Sequence, residues 1–120
     1  MTAPRILIVE DDSLLAFEIQ DILSDAGYEI VGPAATVAKA LQLINGQEFH
    51  AALVDCDLNG ECSAAIAQAL TARTVPFAVL TGSERESLPA AFSEGVFARK
   101  PLNAARLLDI ARSLLSGSPR

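Results

Sequence analysis

The sequence has no apolar stretch long enough to cross a bilayer. Its longest runs, such as Ile6 to Val9 and Pro76 to Leu80, are strand-sized, whereas a spanning helix needs roughly 20 residues. No membrane insertion is expected. An apolar run begins near the N-terminus but is followed at once by an acidic cluster, not by a small-residue cleavage site. That pattern argues against a secretory signal and makes the cytoplasm the expected compartment. Cysteine is scarce: Cys56 and Cys62 are the only two. Their spacing matches no common zinc or redox motif, so two reduced thiols are expected. Basic residues are also few, 9 against 15 acids. Such a balance argues against the clustered Lys and Arg surface with which nucleic-acid binders track phosphates. The single histidine, His50, has no His, Cys or carboxylate partner at ligand spacing and reads as a surface residue. Lysine occurs only as Lys39 and Lys100. There is no low-complexity segment and no internal sequence repeat.

What is present fits one compact domain over residues 1–120, with a core from 5 to 115 and a flexible tail at 116–120. Arg5 to Glu10 is short, continuous and β-branched, as in a strand buried on both faces of a parallel sheet. Leu15, Ile19, Ile22, Leu23 and Ala26 then repeat with helical period up to Gly27. The unit recurs: a strand over Tyr28 to Ala34 and a helix marked by Val37, Ala40, Leu41 and Ile44. Next come a strand ending at Asp55, an alanine-rich helix from Ala64 to Ala72, a strand from Pro76 to Thr81, and a fifth strand over Gly95 to Ala98. The last helix starts at Asn103, where Leu102 can staple onto Leu107, with Leu108, Ala111 and Leu115 facing inward. Between the fourth and fifth strands, Gly82 to Glu94 has little periodicity, and Pro89 leaves room for about one helical turn before Gly95. A loop or reduced helix is expected there. The alternation predicts an α/β fold of three layers, a doubly wound parallel sheet covered by helices on both faces.

In such a sheet, chemistry collects at the carboxyl ends of the strands. Those ends carry Glu10, Asp11 and Asp12 after the first strand, Asp55 and Asp57 after the third, Thr81 after the fourth and Lys100 after the fifth. Carboxylates converging from two strands repel unless a hard cation lies between them. Magnesium favours a few carboxylates, with waters and a substrate phosphate completing its octahedron. Thr81 can donate its hydroxyl to a phosphoryl oxygen, Lys100 can supply positive charge, and an aspartate can itself be the nucleophile. Asp12 is better placed as a helix cap than as a ligand.

These stretches together, Ile6 to Asp12, Ala52 to Gly60, Val79 to Gly82 and Arg99 to Pro101, resemble a response-regulator receiver domain of the CheY-like type. The resemblance covers Arg5 to Leu115. It implies a flavodoxin-like sheet of five parallel strands in the order 2-1-3-4-5. It also implies Asp55 as phosphoacceptor and a magnesium site from Glu10, Asp11, Asp55 and Asp57, with Asp11 the more direct ligand and Asp57 lending its backbone carbonyl. Thr81 matches the switch hydroxyl and Phe97 the aromatic that changes rotamer on activation. Lys100-Pro101 matches a pair usually joined by a cis peptide bond. The implied partners are a sensor histidine kinase or histidine phosphotransfer protein and an unidentified downstream protein. The implied role is that of a signalling phosphoacceptor and not an enzyme. The separations from Asp55 to Thr81 and from Thr81 to Lys100 are shorter than family custom. Together with Pro76-Phe77 and Thr81-Gly82, this resembles a subgroup of mostly single-domain receivers whose fourth helix is short or disordered, with Ser83 where a tyrosine is common.

Two enzyme readings start from the same residues. Asp55-Cys56-Asp57 is an Asp-x-Asp of the kind that opens haloacid-dehalogenase phosphatases. Those place it after the first strand of a larger core, with a later acidic pair, and neither condition holds. A topoisomerase-primase type of site would use Glu10, Asp55 and Asp57 for magnesium, but it conflicts with the acidic balance and leaves Thr81 and Lys100 without a role.

Overall fold

The computed structural model describes residues 3–82 and 88–116. Ser83, the 83–87 part of the weakly periodic segment and the 117–120 part of the expected tail lie outside the described residues.

Continuous apolar runs become the inner strands, as their double-sided apolarity requires. The chain runs β1 (Arg5–Val9), α1 (Ser13–Asp25), β2 (Glu29–Ala34), α2 (Val37–Gly46), β3 (Ala51–Asp55), then a small hairpin, β4 (Asp57–Leu58) and β5 (Glu61–Cys62). It continues through α3 (Ala64–Ala72), β6 (Phe77–Thr81), a 3-10 helix (Ala90–Glu94), β7 (Val96–Arg99) and α4 (Ala104–Ser116). Five parallel strands form one sheet in the order β2-β1-β3-β6-β7. This is the expected 2-1-3-4-5 order once the hairpin strands are set aside. All five residues of both β3 and β6 are buried.

The period of two along each strand divides the core. Leu7, Val9, Ala52, Val54, Phe77 and Val79 face α2, α3 and Phe92 of the 3-10 helix. Ile6, Ile8, Leu53, Ala78, Leu80 and Ala98 face Ile19 and Leu23 of α1 and Leu107, Ile110, Ala111 and Leu114 of α4. The three layers are therefore a helical layer on each face of the sheet. The segment expected to hold a reduced helix contributes the 3-10 turn, with Pro89 at its start and Gly95 at its end. Phe92 within it is fully buried. That side chain anchors a turn too short to hold itself by backbone bonds alone.

The caps are local and follow the sequence. Asp12 accepts from the amides of Leu14 and Leu15 at the start of α1, and Asn103 Oδ1 accepts from Arg106 N at 2.8 Å at the start of α4. Two features go beyond what the sequence signals: the pairing of two-residue strands around Asn59-Gly60 and a contact made by His50. The Asn59-Gly60 turn has φ of +52° and +84°, the paired left-handed conformation that closes a two-residue hairpin. His50, although exposed, accepts from Arg5 N through Nδ1 at 2.9 Å, while its own amide donates to Arg5 O at 2.8 Å. It thus clips β1 to the start of β3. The Gly32–Pro33 and Lys100–Pro101 peptide bonds are both cis, the second as the resemblance implies.

Candidate functional site

Parallel strands deliver their last residues to one edge of the sheet, and four strand ends meet there. Asp55 closes β3, only 6% exposed. Glu10 follows β1 and is 2% exposed, its amide donating to Ala34 O at 2.9 Å. Thr81 closes β6 and is buried, and its carbonyl accepts from Lys100 N at 2.8 Å, which carries the register of β6 and β7 into the loop beyond.

Lys100 joins the two buried acids. Its Nζ donates to Asp55 Oδ2 at 2.9 Å and to Glu10 Oε1 at 3.2 Å. The second Glu10 oxygen accepts from Asp12 N at 3.1 Å, and Asp55 Oδ1 accepts from Asp57 N at 3.1 Å. Asp11 is half-buried, and its Oδ2 accepts from Asn59 N at 2.7 Å, tying the hairpin tip to the end of β1. Carboxylate oxygens of Glu10, Asp11 and Asp55 lie within 4.8 Å of one another. The Asp57 side chain is exposed and outside this cluster, while its backbone stays attached to Asp55 through the amide. Phe97, in β7, is partly buried against the same core that holds Val79 and Phe77.

The electrostatics follow from this crowding. Burial, then the neighbouring Asp55 through a shared hydrogen bond and its charge, pushes Glu10 up to about 7, against the opposing pull of the Asp12 amide and Lys100. Burial alone would lower Lys100, but the carboxylates of Asp55 and Glu10 outweigh it and hold the ammonium above its ordinary value. Two buried acids share the one ammonium, and a carboxylate oxygen of Asp11 lies within 4.8 Å of theirs. The donor set is hard oxygen throughout, which suits a divalent cation such as magnesium.

Sequence reasoning brought Glu10, Asp11, Asp55, Thr81 and Lys100 to one edge. It missed Ser63, which is fully buried and donates from Oγ to the Asp55 carbonyl at 2.7 Å. A serine just before an alanine-rich helix signals a cap, and nothing local signals that its hydroxyl turns instead to the strand. It also missed the apolar rim on α1, where Leu14 and Phe17 are 69% and 64% exposed. Phe17 shares a cleft with Glu10, Asp11 and Pro33.

A doubly wound sheet with acids, a hydroxyl and a lysine at its carboxyl edge defines a class, and the chain belongs to it: the response regulator receiver domain family matches residues 6–112. Among curated proteins, the transcriptional regulatory protein PdtaR of Mycobacterium tuberculosis is 29% identical, the match covering 87% of this chain and 53% of PdtaR. The chain thus spans about half the length of the curated relatives it matches. Among solved structures, SdrG from Sphingomonas melonis Fr1 is 34% identical with a TM-score of 0.80, over 94% of this chain and 97% of that one. A CheY-like receiver domain protein from Methanospirillum hungatei JF-1 is 26% identical with a TM-score of 0.88, over 97% and 96% of the two chains. Among the described residues, no helix is long and apolar enough to cross a membrane.

Proposed function

We propose that residues 1–120 act as a receiver whose Asp55 takes a phosphoryl group from the phosphohistidine of a sensor histidine kinase or histidine phosphotransfer protein. The observation that carries this reading is the state of Asp55. It is buried at the end of β3, with the Lys100 ammonium 2.9 Å from one oxygen and with Glu10 and Asp11 oxygens within 4.8 Å.

In the transfer, an Asp55 carboxylate oxygen attacks phosphorus. The P–N bond to the donor imidazole breaks, its electron pair leaves with the ring nitrogen, and a P–O bond to Asp55 forms. Lys100 offsets the charge gathering on the acceptor and phosphoryl oxygens. The Asp55 oxygen it does not hold receives the Asp57 amide, which orients the carboxylate. Glu10, Asp11 and Asp55, with the Asp57 carbonyl, would hold magnesium; the ion, when bound, neutralises phosphoryl oxygens. Thr81, buried at the next strand end, would donate its hydroxyl to the new phosphoryl group. Its movement toward Asp55 would open space for Phe97 on the neighbouring strand, shifting the balance between two surfaces read by a downstream protein. The donor protein would meet the exposed Leu14 and Phe17 beside the acid cluster.

The test is incubation with acetyl phosphate and magnesium, read by intact mass. One phosphoryl mass should be added to the wild type and none to Asp55→Asn; equal labelling of both would remove Asp55 from the reaction. Steady turnover of a generic phosphate ester would favour the phosphatase reading instead.

A further inference from the structure

Ser63 stands at the start of α3, where a serine hydroxyl ordinarily accepts from amides of the first helical turn. It makes no such cap bond. Its Oγ donates to the Asp55 carbonyl at 2.7 Å, and its backbone amide donates to the next carbonyl, that of Cys56, at 3.2 Å. The side chain is fully buried. The pairing of β3 with β6 ends at Asp55 and Leu80, and one further bond, Cys56 N to Leu80 O at 3.1 Å, lies beyond it. The peptide group joining Asp55 to Cys56 is therefore held at both ends: its N–H by the Leu80 carbonyl, its C=O by the Ser63 hydroxyl. A peptide plane held at both ends sets the ψ angle of Asp55, and with it the direction in which the carboxylate leaves the backbone.

We propose that Ser63 is a positioning residue for phosphoryl transfer, acting through the main chain of Asp55 to aim its carboxylate at the cation site and the incoming phosphorus. The proposal rests on the phosphoacceptor reading above. Ser63 touches no reacting atom. Its contribution is angular: without the hydroxyl, the Asp55 carbonyl keeps no partner on that side, and the carboxylate loses one of the constraints that hold it in an attacking geometry. Small misalignments of an attacking group cost rate steeply.

The experiment follows acetyl phosphate labelling and magnesium affinity in four proteins: wild type, Ser63→Ala, Ser63→Thr and Ala67→Gly. The last loosens α3 at another fully buried position without touching the hydroxyl, and so reports what mere destabilisation does. Ser63→Ala should lower the maximal labelling rate by about fivefold, the equivalent of one net hydrogen bond. It should leave the acetyl phosphate concentration for half-maximal rate unchanged, and it should weaken magnesium binding as measured by amide chemical shifts. Ser63→Thr, which keeps the hydroxyl, should recover most of the rate, and Ala67→Gly should keep the wild-type rate. Wild-type rate in Ser63→Ala, or an equal fall in Ala67→Gly, overturns the proposal. Should Ser63→Ala not fold, Ser63→Cys decides, since sulfur is a poor donor of similar size: a slowed rate supports the positioning role and an unchanged rate refutes it. No labelling of the wild type at all is a different result, and it defeats the phosphoacceptor reading itself.

Discussion

Replacing Lys100 by methionine removes the ammonium that bridges the two buried acids, and the structure sets both the size and the pH dependence of the effect. Nζ lies 2.9 Å from Asp55 and 3.2 Å from Glu10. Unit charges at those separations attract by roughly 5 to 6 kcal/mol each at an effective dielectric of about 20. That is a ceiling, because holding the charges out of water costs several kcal/mol per ion, and the Lys100 side chain is still 28% exposed. Removing one partner of a buried ion pair costs ~3 to 5 kcal/mol. With partial solvation of the lysine, a loss of about 3 kcal/mol is expected in the metal-free protein above neutral pH.

Glu10 supplies the pH dependence. Its folded value, about 7, lies above its ordinary 4.5. The stability linked to it is therefore fully present below 4.5 and is lost as pH rises to about 7. Without Lys100 the acid rises further, so the falling stretch extends upward and the deficit of the variant widens with pH. Magnesium should narrow the deficit, and the variant should bind magnesium more tightly, because no ammonium competes for the same carboxylates. Urea unfolding followed by far-ultraviolet circular dichroism, at roughly pH 5.5 and pH 8 with EDTA or saturating magnesium, reads all of this. A variant as stable as wild type at the higher pH without metal, or one with the same deficit at both, would refute the reasoning.

Other perturbations test how the site is held. Asp12→Ala removes the acceptor of two α1 amides and should cost about 1 kcal/mol in urea unfolding; no change would mean solvent caps the helix equally well. Phe92→Ala empties a fully buried position under the 3-10 turn. It should cost ~3 to 5 kcal/mol, with the fastest gain in amide exchange between Ala90 and Glu94; a uniform change in exchange would count against local anchoring. Gly32→Ala places a Cβ 2.9 Å from both Ala34 N and Ile8 O at a φ of +95°. A loss of ~1 to 3 kcal/mol or more is expected, and a wild-type melting temperature would show that the β1–β2 edge can rearrange.

Much of this architecture was legible because the signals are local. The alanine-rich run predicts a helix from Ala64 to Ala72, which is where α3 lies. Asp12 and Asn103 cap helices because their short polar side chains precede periodic apolar positions. The Pro89-to-Gly95 interval leaves room for one turn, and the 3-10 helix occupies it. The hairpin after Asp55 was less visible: Asn59-Gly60 signals a turn, but strands of two residues carry no periodicity. His50 has no neighbour in sequence to suggest that its ring accepts the amide of Arg5, 45 residues away.

By itself the sequence determined the alternating helices and strands of the main sheet and which residues stand at those strand ends, because apolar period, caps and turn residues act over a few positions. Only the tertiary structure decided which of those ends touch. Lys100 reaches Asp55 across 45 residues and Glu10 across 90, and Ser63 turns its hydroxyl from its own helix to the Asp55 carbonyl. Those contacts depend on strand order, on the register of β3, β6 and β7, and on where the loops return. Each is set by burying both faces of one sheet at once.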